Sequence, residues 1–215
     1  AVPQANAAGL TVRALKTLAG RAYGLANGVV KGPVHLNFPF RQPLEPEGPP
    51  LPLITPLARP AVQIQRGVMA PTADQLDDLV SIINQYERGL IICGPGCPGG
   101  DFPAQVAKLA TASSYPLVTD PLSGVRFGVP VESGLVLGGY ETYLQSGKLP
   151  WARPDVVLRF GAVPTSKWLN SYVSGTMPTH IIHIRDNGVW ADDSHLVNYF
   201  LQADPSTLCT QLARS

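Results

Sequence analysis

Residues 90–101 read Leu90-Ile-Ile-Cys93-Gly94-Pro95-Gly96-Cys97-Pro98-Gly99-Gly-Asp101: four apolar residues, a glycine- and proline-rich turn, then an acid. An uninterrupted apolar run of this length is the pattern of a strand buried on both faces, as in parallel sheets. The turn satisfies G-x-G-x-x-G between a strand and a helix, and Asp101 is placed to open that helix over 102–112. Outward from here the pattern repeats. Before it, Thr72 and Gln75 have capping-box spacing. Leu76, Leu79, Val80 and Ile83 give the helix they open an apolar face, and Gly89 is its expected stop. After it, strands are expected at 116–119, 155–160, 180–184 and, more weakly, 196–201. Helices are expected at 165–174 and 205–212. Alternating strand and helix implies an α/β fold: a doubly wound, mainly parallel, Rossmann-like sheet.

Upstream the pattern changes. Leu10, Ala14, Leu18 and Ala22 recur at helical spacing within residues 9–27, and Asn27-Gly28 supplies a stop. Val34–Phe38 alternates apolar and polar, as a half-buried strand does. One helix and one strand make no stable unit, so this part reads as the tail of another α/β domain. Eight prolines then fall between residues 39 and 60. They remove amide donors and fix φ, which leaves a semi-rigid extended connector.

Composition narrows the function classes. Lys and Arg number 16 against 15 Asp and Glu, and the net charge is +1, so no basic surface for nucleic acid is expected. Charged residues are 14%, against about 25% in typical domains, which points to burial or large contacts. No apolar run reaches the roughly 18 residues of a membrane span, and no cationic-apolar leader opens the sequence. Cys93, Cys97 and Cys209 form neither a disulfide framework nor a zinc spacing, so free thiols in a reducing, cytoplasmic compartment are expected.

Three segments could carry chemistry. Gly94, Gly96 and Gly99 fit a nicotinamide- or flavin-binding turn, with Asp120 placed to bond a ribose hydroxyl. Against this, Pro95 and Pro98 remove donors from the loop that would hold phosphate, and Asp101 repels it. The loop Asp120-Pro-Leu-Ser-Gly-Val-Arg126 lies where open α/β sheets bind ligands, and its Ser and Arg could hold a carboxylate; taken alone, an ordinary Asx or Ser turn is the favoured reading. In Gly161-Ala-Val-Pro-Thr165-Ser166-Lys167-Trp168, Thr165 or Ser166 caps a helix and Lys167 occupies its first turn. A lysine there faces the positive end of the helix, which either implies a nearby anion or reports a solvated side chain covering Trp168. His35, His180 and His183 read as structural, and Asp192-Asp193 as a solvated turn.

Gly32-Pro-Val-His-Leu-Asn37-Phe-Pro-Phe-Arg41-Gln-Pro-Leu44, the 120–126 loop and Pro164-Thr-Ser-Lys167 together resemble, in order, segments of the 2-succinyl-5-enolpyruvyl-6-hydroxy-3-cyclohexene-1-carboxylate synthase family of menaquinone biosynthesis. The resemblance implies residues 1–40 as the end of an N-terminal pyrimidine-binding domain, 41–71 as a connector and 72–215 as a central domain. It implies a transferase that uses thiamine diphosphate and Mg²⁺ to decarboxylate 2-oxoglutarate and add the succinyl-semialdehyde unit to isochorismate, for menaquinone or phylloquinone. It implies a homodimer or homotetramer. Lys167 is the implied substrate-binding residue, with Ser166 and Arg126 beside it; Trp168 stands where some members carry Arg. Arg126, Arg153 and Arg159 are the candidates for the arginines with which some members bind a downstream naphthoate. The family's cofactor-binding Gly-Asp-Gly and Asn-Asn segment and its activating glutamate are not in this sequence. The implied state is therefore a fragment that alone binds no thiamine diphosphate and is inactive.

Overall fold

The computed structural model describes residues 9–39, 62–127 and 136–215, and the chain divides into two units, Ala1–Gly67 and Val68–Ser215. In the second unit six strands form one sheet: β1 (Gly89–Cys93), β2 (Leu117–Thr119), β3 (Val136–Leu137), β4 (Val156–Phe160), β5 (His180–Arg185) and β6 (Tyr199–Gln202). Their order is β3-β2-β1-β4-β5-β6 and every pairing is parallel. This is the doubly wound arrangement, with its reversal of strand order between β1 and β4, where such sheets place ligands.

Parallel strands need crossovers, and the helices supply them on both faces. One face buries Ile91, Cys93, Leu117, Leu158, Phe160, Ile182 and Ile184 with residues of α2 (Ala73–Gln85), α3 (Phe102–Ser113) and α6 (Pro205–Leu212). The other buries Leu90, Ile92, Val118, Val157 and Ile181 with residues of α4 (Tyr140–Ser146) and α5 (Lys167–Thr176). Successive strand residues point to opposite faces, and here both faces are dry, which is why β1 is apolar without alternation and β4 is so except for the buried Arg159. Phe102 and Phe160 meet edge to face at 5.3 Å between ring centres.

Local sequence explains the helix ends. Thr72 and Gln75 form the expected capping box on α2. That helix ends at Gln85 rather than at Gly89, which is the first residue of β1. The Tyr115 hydroxyl donates to the Tyr86 and Ile83 carbonyls at 2.5 and 3.2 Å and so satisfies the end of α2. Gly89 instead makes room for that tyrosine, since a Cβ there would lie 2.0 Å from the Tyr115 ring. Asp204 caps α6 by accepting the Thr207 amide at 2.8 Å.

Three expectations are corrected. The sheet has six strands, because β3 and α4 were not anticipated; β3 is only two residues long and exists through its pairing with β2. In the first unit α1 spans Gly9–Ala26, but Val34–Phe38 forms no strand. An extended segment needs a ladder partner to hold its amides, and none occurs among the described residues of that unit. The weak strand signal at 196–201 resolves to Tyr199–Gln202. Residues 40–61 of the proline-rich segment, with Arg41 and Leu44, lie outside the described residues. Among the described residues no helix is long and apolar enough to cross a membrane.

Candidate functional site

The loops after β1, β2 and β4 meet at the carboxyl edge of the sheet. Their joint is Asp120, which is fully buried. One carboxylate oxygen accepts the Leu122 amide at 2.8 Å. The other accepts both the amide and the hydroxyl of Thr165, each at 2.7 Å. A buried carboxylate is tolerable only when so satisfied. Asp120 therefore ties the β2 loop to the start of α5, and at 0% exposure it presents no oxygen to a ribose.

Part of the glycine loop is likewise committed to the protein, which counts against the nucleotide reading of Gly94, Gly96 and Gly99. The Gly94 amide donates to Phe160 O at 2.8 Å and the Gly96 amide to Leu122 O at 3.3 Å. The Ala162 amide donates to Pro95 O at 2.7 Å. A Cβ on Gly94 would lie 2.0 Å from the Ala162 carbonyl oxygen. Gly94 thus lets two backbone segments touch across the switch point, and the Gly94 and Gly96 amides that a pyrophosphate would use are taken, while Gly96 and Gly99 border open space. Asp101 precedes α3 without a side-chain capping bond.

Of the expected binding residues, Ser166 is the cap of α5. Its hydroxyl accepts the Leu169 amide at 3.3 Å, and the residue is only 5% exposed. Lys167 is the first residue of α5 and is exposed; its Nζ lies 5.8 Å from the centre of the Trp168 ring, within cation–π range. Arg126 follows a turn fixed by Ser123, whose hydroxyl donates to Asp120 O at 2.6 Å and accepts the Val125 amide at 3.1 Å. The Arg126 guanidinium carbon lies 5.8 Å from the Phe127 ring centre.

Tyr140, at the start of α4, was missed by sequence reading and links these residues. Burial pushes its phenol up to about 12, helped by Asp120 and Glu141 and opposed by Ser166 and Arg126. It is a protonated hydroxyl among Asp120, Ser166 and Arg126. No local signal marks it, since residues 136–146 carry no clear period. Arg126 and Ser166 thus both act on the Tyr140 phenol, and Lys167 follows Ser166 in the chain at the start of α5. A positive helix terminus, an ammonium and a guanidinium can receive carboxylates.

Other candidates are structural. Arg153 Nε donates to Thr176 O at 3.0 Å and closes the end of α5. Arg159 is buried and bonds Ala191 O at 2.5 Å and Asp192 at 3.5 Å. Asp192 is therefore no solvated turn residue: it is 5% exposed and also accepts the Val197 amide at 2.8 Å. His183 Nε2 bonds Gly161 O at 2.8 Å, and burial pushes the imidazole down to about 4, so it donates this bond as the neutral ring. Burial raises the thiols of Cys93 and Cys209, leaving them protonated and unreactive.

No protein-family model matches the chain. Sequence relatives do. The 2-succinyl-5-enolpyruvyl-6-hydroxy-3-cyclohexene-1-carboxylate synthase of Roseiflexus sp. is 46% identical over 99% of this chain and 37% of its own length. The synthase of the same name from Roseiflexus castenholzii is 44% identical over 99% and 37%. A Mycobacterium smegmatis crystal structure, provisionally described as a thiamin diphosphate-dependent enzyme, is 18% identical with TM-score 0.47 over 74% of this chain and 31% of that one. The chain spans little more than a third of the length of the curated relatives it matches, and as such a segment it belongs to the 2-succinyl-5-enolpyruvyl-6-hydroxy-3-cyclohexene-1-carboxylate synthase family.

Proposed function

We propose that this segment serves a thiamine diphosphate- and Mg²⁺-dependent transferase that decarboxylates 2-oxoglutarate and adds the succinyl-semialdehyde unit to isochorismate. The observation that carries the reading is 46% identity to a synthase of that name across 99% of the chain. In this reading residues 1–40 close a pyrimidine-binding domain, 41–71 connect, and 72–215 form the central domain. The enzyme is cytoplasmic, assembles as a homodimer or homotetramer, and feeds menaquinone or, in photosynthetic organisms, phylloquinone synthesis.

The described residues do not fit a diphosphate–metal site. The glycine loop commits the Gly94 and Gly96 amides to protein carbonyls, and no group of three or more His, Cys, Asp or Glu converges among the described residues. The cofactor belongs to other parts of the full-length enzyme, and the 215-residue segment alone is inactive. The contribution of this segment is electrostatic. Lys167 presents its ammonium at the positive end of α5, where the two fields add and favour a carboxylate. Arg126 supplies a second cation, and the buried Ser166 cap holds the helix start from which Lys167 extends.

The test is Lys167→Ala in the full-length enzyme. Loss of one charge-assisted contact should lower kcat/KM for isochorismate about tenfold or more. Unchanged KM and unchanged kcat would remove Lys167 from the substrate site.

A further inference from the structure

The three cysteines of the chain come from two distant segments and converge at the carboxyl end of β1. Cys93 is the last residue of that strand and Cys209 lies in α6. Both are buried in one core cluster, and Cys97 packs against it. Between Cys93 and Cys97 the chain turns at Pro95-Gly96, with Gly96 at φ 70°. Proline followed by a glycine of positive φ is the type II pattern, and such a turn keeps its outer residues, here Gly94 and Cys97, within about 7 Å. The Cys97 thiol donates to Gly94 O at 3.2 Å, and a Cβ on Gly161 would lie 2.9 Å from its sulfur. The side chain is therefore folded back over the end of β1. Burial first, and then a hydrogen bond and the charge of Cys97, raise the Cys93 thiol, as two thiols in contact require. Cys209 is raised by burial and by the charges of Cys97 and Asp204, without such a bond.

Access separates the two neighbours. Cys93 is 0% exposed, whereas Cys97 is half-buried. Gly96, Gly99 and Gly100 have open space where a side chain would stand, which leaves this side of the turn unshielded. A protonated thiol closed to solvent does not meet an oxidant by itself. A sulfenic acid formed on the sulfur beside it would bring the electrophile to it.

We infer that Cys97 and Cys93 form a peroxide-responsive thiol pair, in which Cys97 meets the oxidant and Cys93 resolves it to a disulfide across the Pro95-Gly96 turn. The Cys97 sulfur, as thiolate, attacks one oxygen of hydrogen peroxide. The O–O bond breaks, the other oxygen leaves as water, and a sulfenic acid remains. The Cys93 sulfur then attacks the sulfenic sulfur. The S–O bond breaks, and the Cys93 proton joins the departing hydroxide as water. The two thiols lose two electrons and the peroxide gains them; a dithiol reverses the step by exchange. The inference does not rest on the substrate reading given above.

The test is thiol mapping on the 215-residue chain. The folded chain is exposed to hydrogen peroxide, denatured in guanidinium with iodoacetamide and digested with trypsin. Cleavage after Arg88 and Lys108 releases Cys93 and Cys97 in one peptide, and cleavage after Arg185 and Arg214 releases Cys209 in another. The 89–108 peptide should be two hydrogens lighter and unalkylated, while the 186–214 peptide carries one alkyl group. Dithiothreitol before alkylation should restore two alkyl groups to the first peptide. Cys97→Ser should leave Cys93 reduced at the same dose, and Cys93→Ser should stop at a sulfenic acid on Cys97, trapped by dimedone. Alkylation of all three cysteines after peroxide would overturn the pair. A cross-link between two peptides would overturn Cys93 as the resolving partner. Sulfinic acid on Cys97 beside an alkylated Cys93 would show that the two sulfurs do not meet. If either variant does not fold, the mapping of the unsubstituted chain still decides.

Discussion

Asp120 offers the sharpest test of how the candidate site is held. Asp120→Asn keeps size and shape but replaces one acceptor oxygen by an NH₂ donor. In its better orientation the amide oxygen keeps the two Thr165 bonds, now without charge assistance, and the NH₂ faces the Leu122 amide, leaving that donor unmade. Losing one bond to a charged group costs about 1.5–3 kcal/mol, and weakening two others adds about 0.5 kcal/mol each. The expected loss is about 3 kcal/mol. All three tryptophans, Trp151, Trp168 and Trp190, lie in the Val68–Ser215 unit. Urea unfolding followed by tryptophan fluorescence therefore reports that unit. With a slope of about 2 kcal/mol per molar urea, the midpoint should fall by about 1.5 M. Thr165→Val should cost less when combined with Asp120→Asn than in the unsubstituted chain, because the two residues share bonds. A midpoint shift under about 0.5 M, or strict additivity of the two substitutions, would show that Asp120 does not tie the loops together in solution.

Other outcomes follow from the same geometry. His183 is held near 4 by burial, below its ordinary value of 6.5. The unfolded chain therefore takes up the proton first: this stabilisation is complete above about pH 6.5 and is lost as pH falls toward 4, by about 3 kcal/mol. A pH series of unfolding midpoints measures it, and His183→Gln should flatten that slope; an NMR titration of His183 near 6.5 would contradict it. Gly94→Ala drives a Cβ to 2.0 Å from the Ala162 carbonyl oxygen, where backbone must move. It should destabilise by about 2–3 kcal/mol and shift the amide resonances of 161–166. Thr72→Ala removes the α2 cap and should cost about 1 kcal/mol in the same urea assay, with no change at the sheet edge.

Much of the architecture was legible because its signals are local. The Thr72–Gln75 box, the Pro205 start of α6 and the apolar run of β1 each state their structure within a few residues. Features that arise from pairing carried no such signal. Two residues became β3 only by lying beside β2, and Val34–Phe38, though it alternates correctly, found no ladder among the described residues. The same division runs through the candidate site. Ser166 and Lys167 were readable because a cap and a first-turn lysine are adjacent in the chain. Tyr140 was not, because its role depends on Asp120, Arg126 and Ser166, which come from distant loops.

The sequence by itself therefore determined the class of fold, the family segment and the residues placed at helix starts, since period, capping and motif are short-range properties. Only the tertiary structure decided that Asp120 is bound to Thr165, that the glycine loop is closed against β4, and that Asp192 is buried against Arg159. Each of those outcomes depends on which backbone amides and charges meet across the sheet, and that is set by packing between segments about 30 to 70 residues apart.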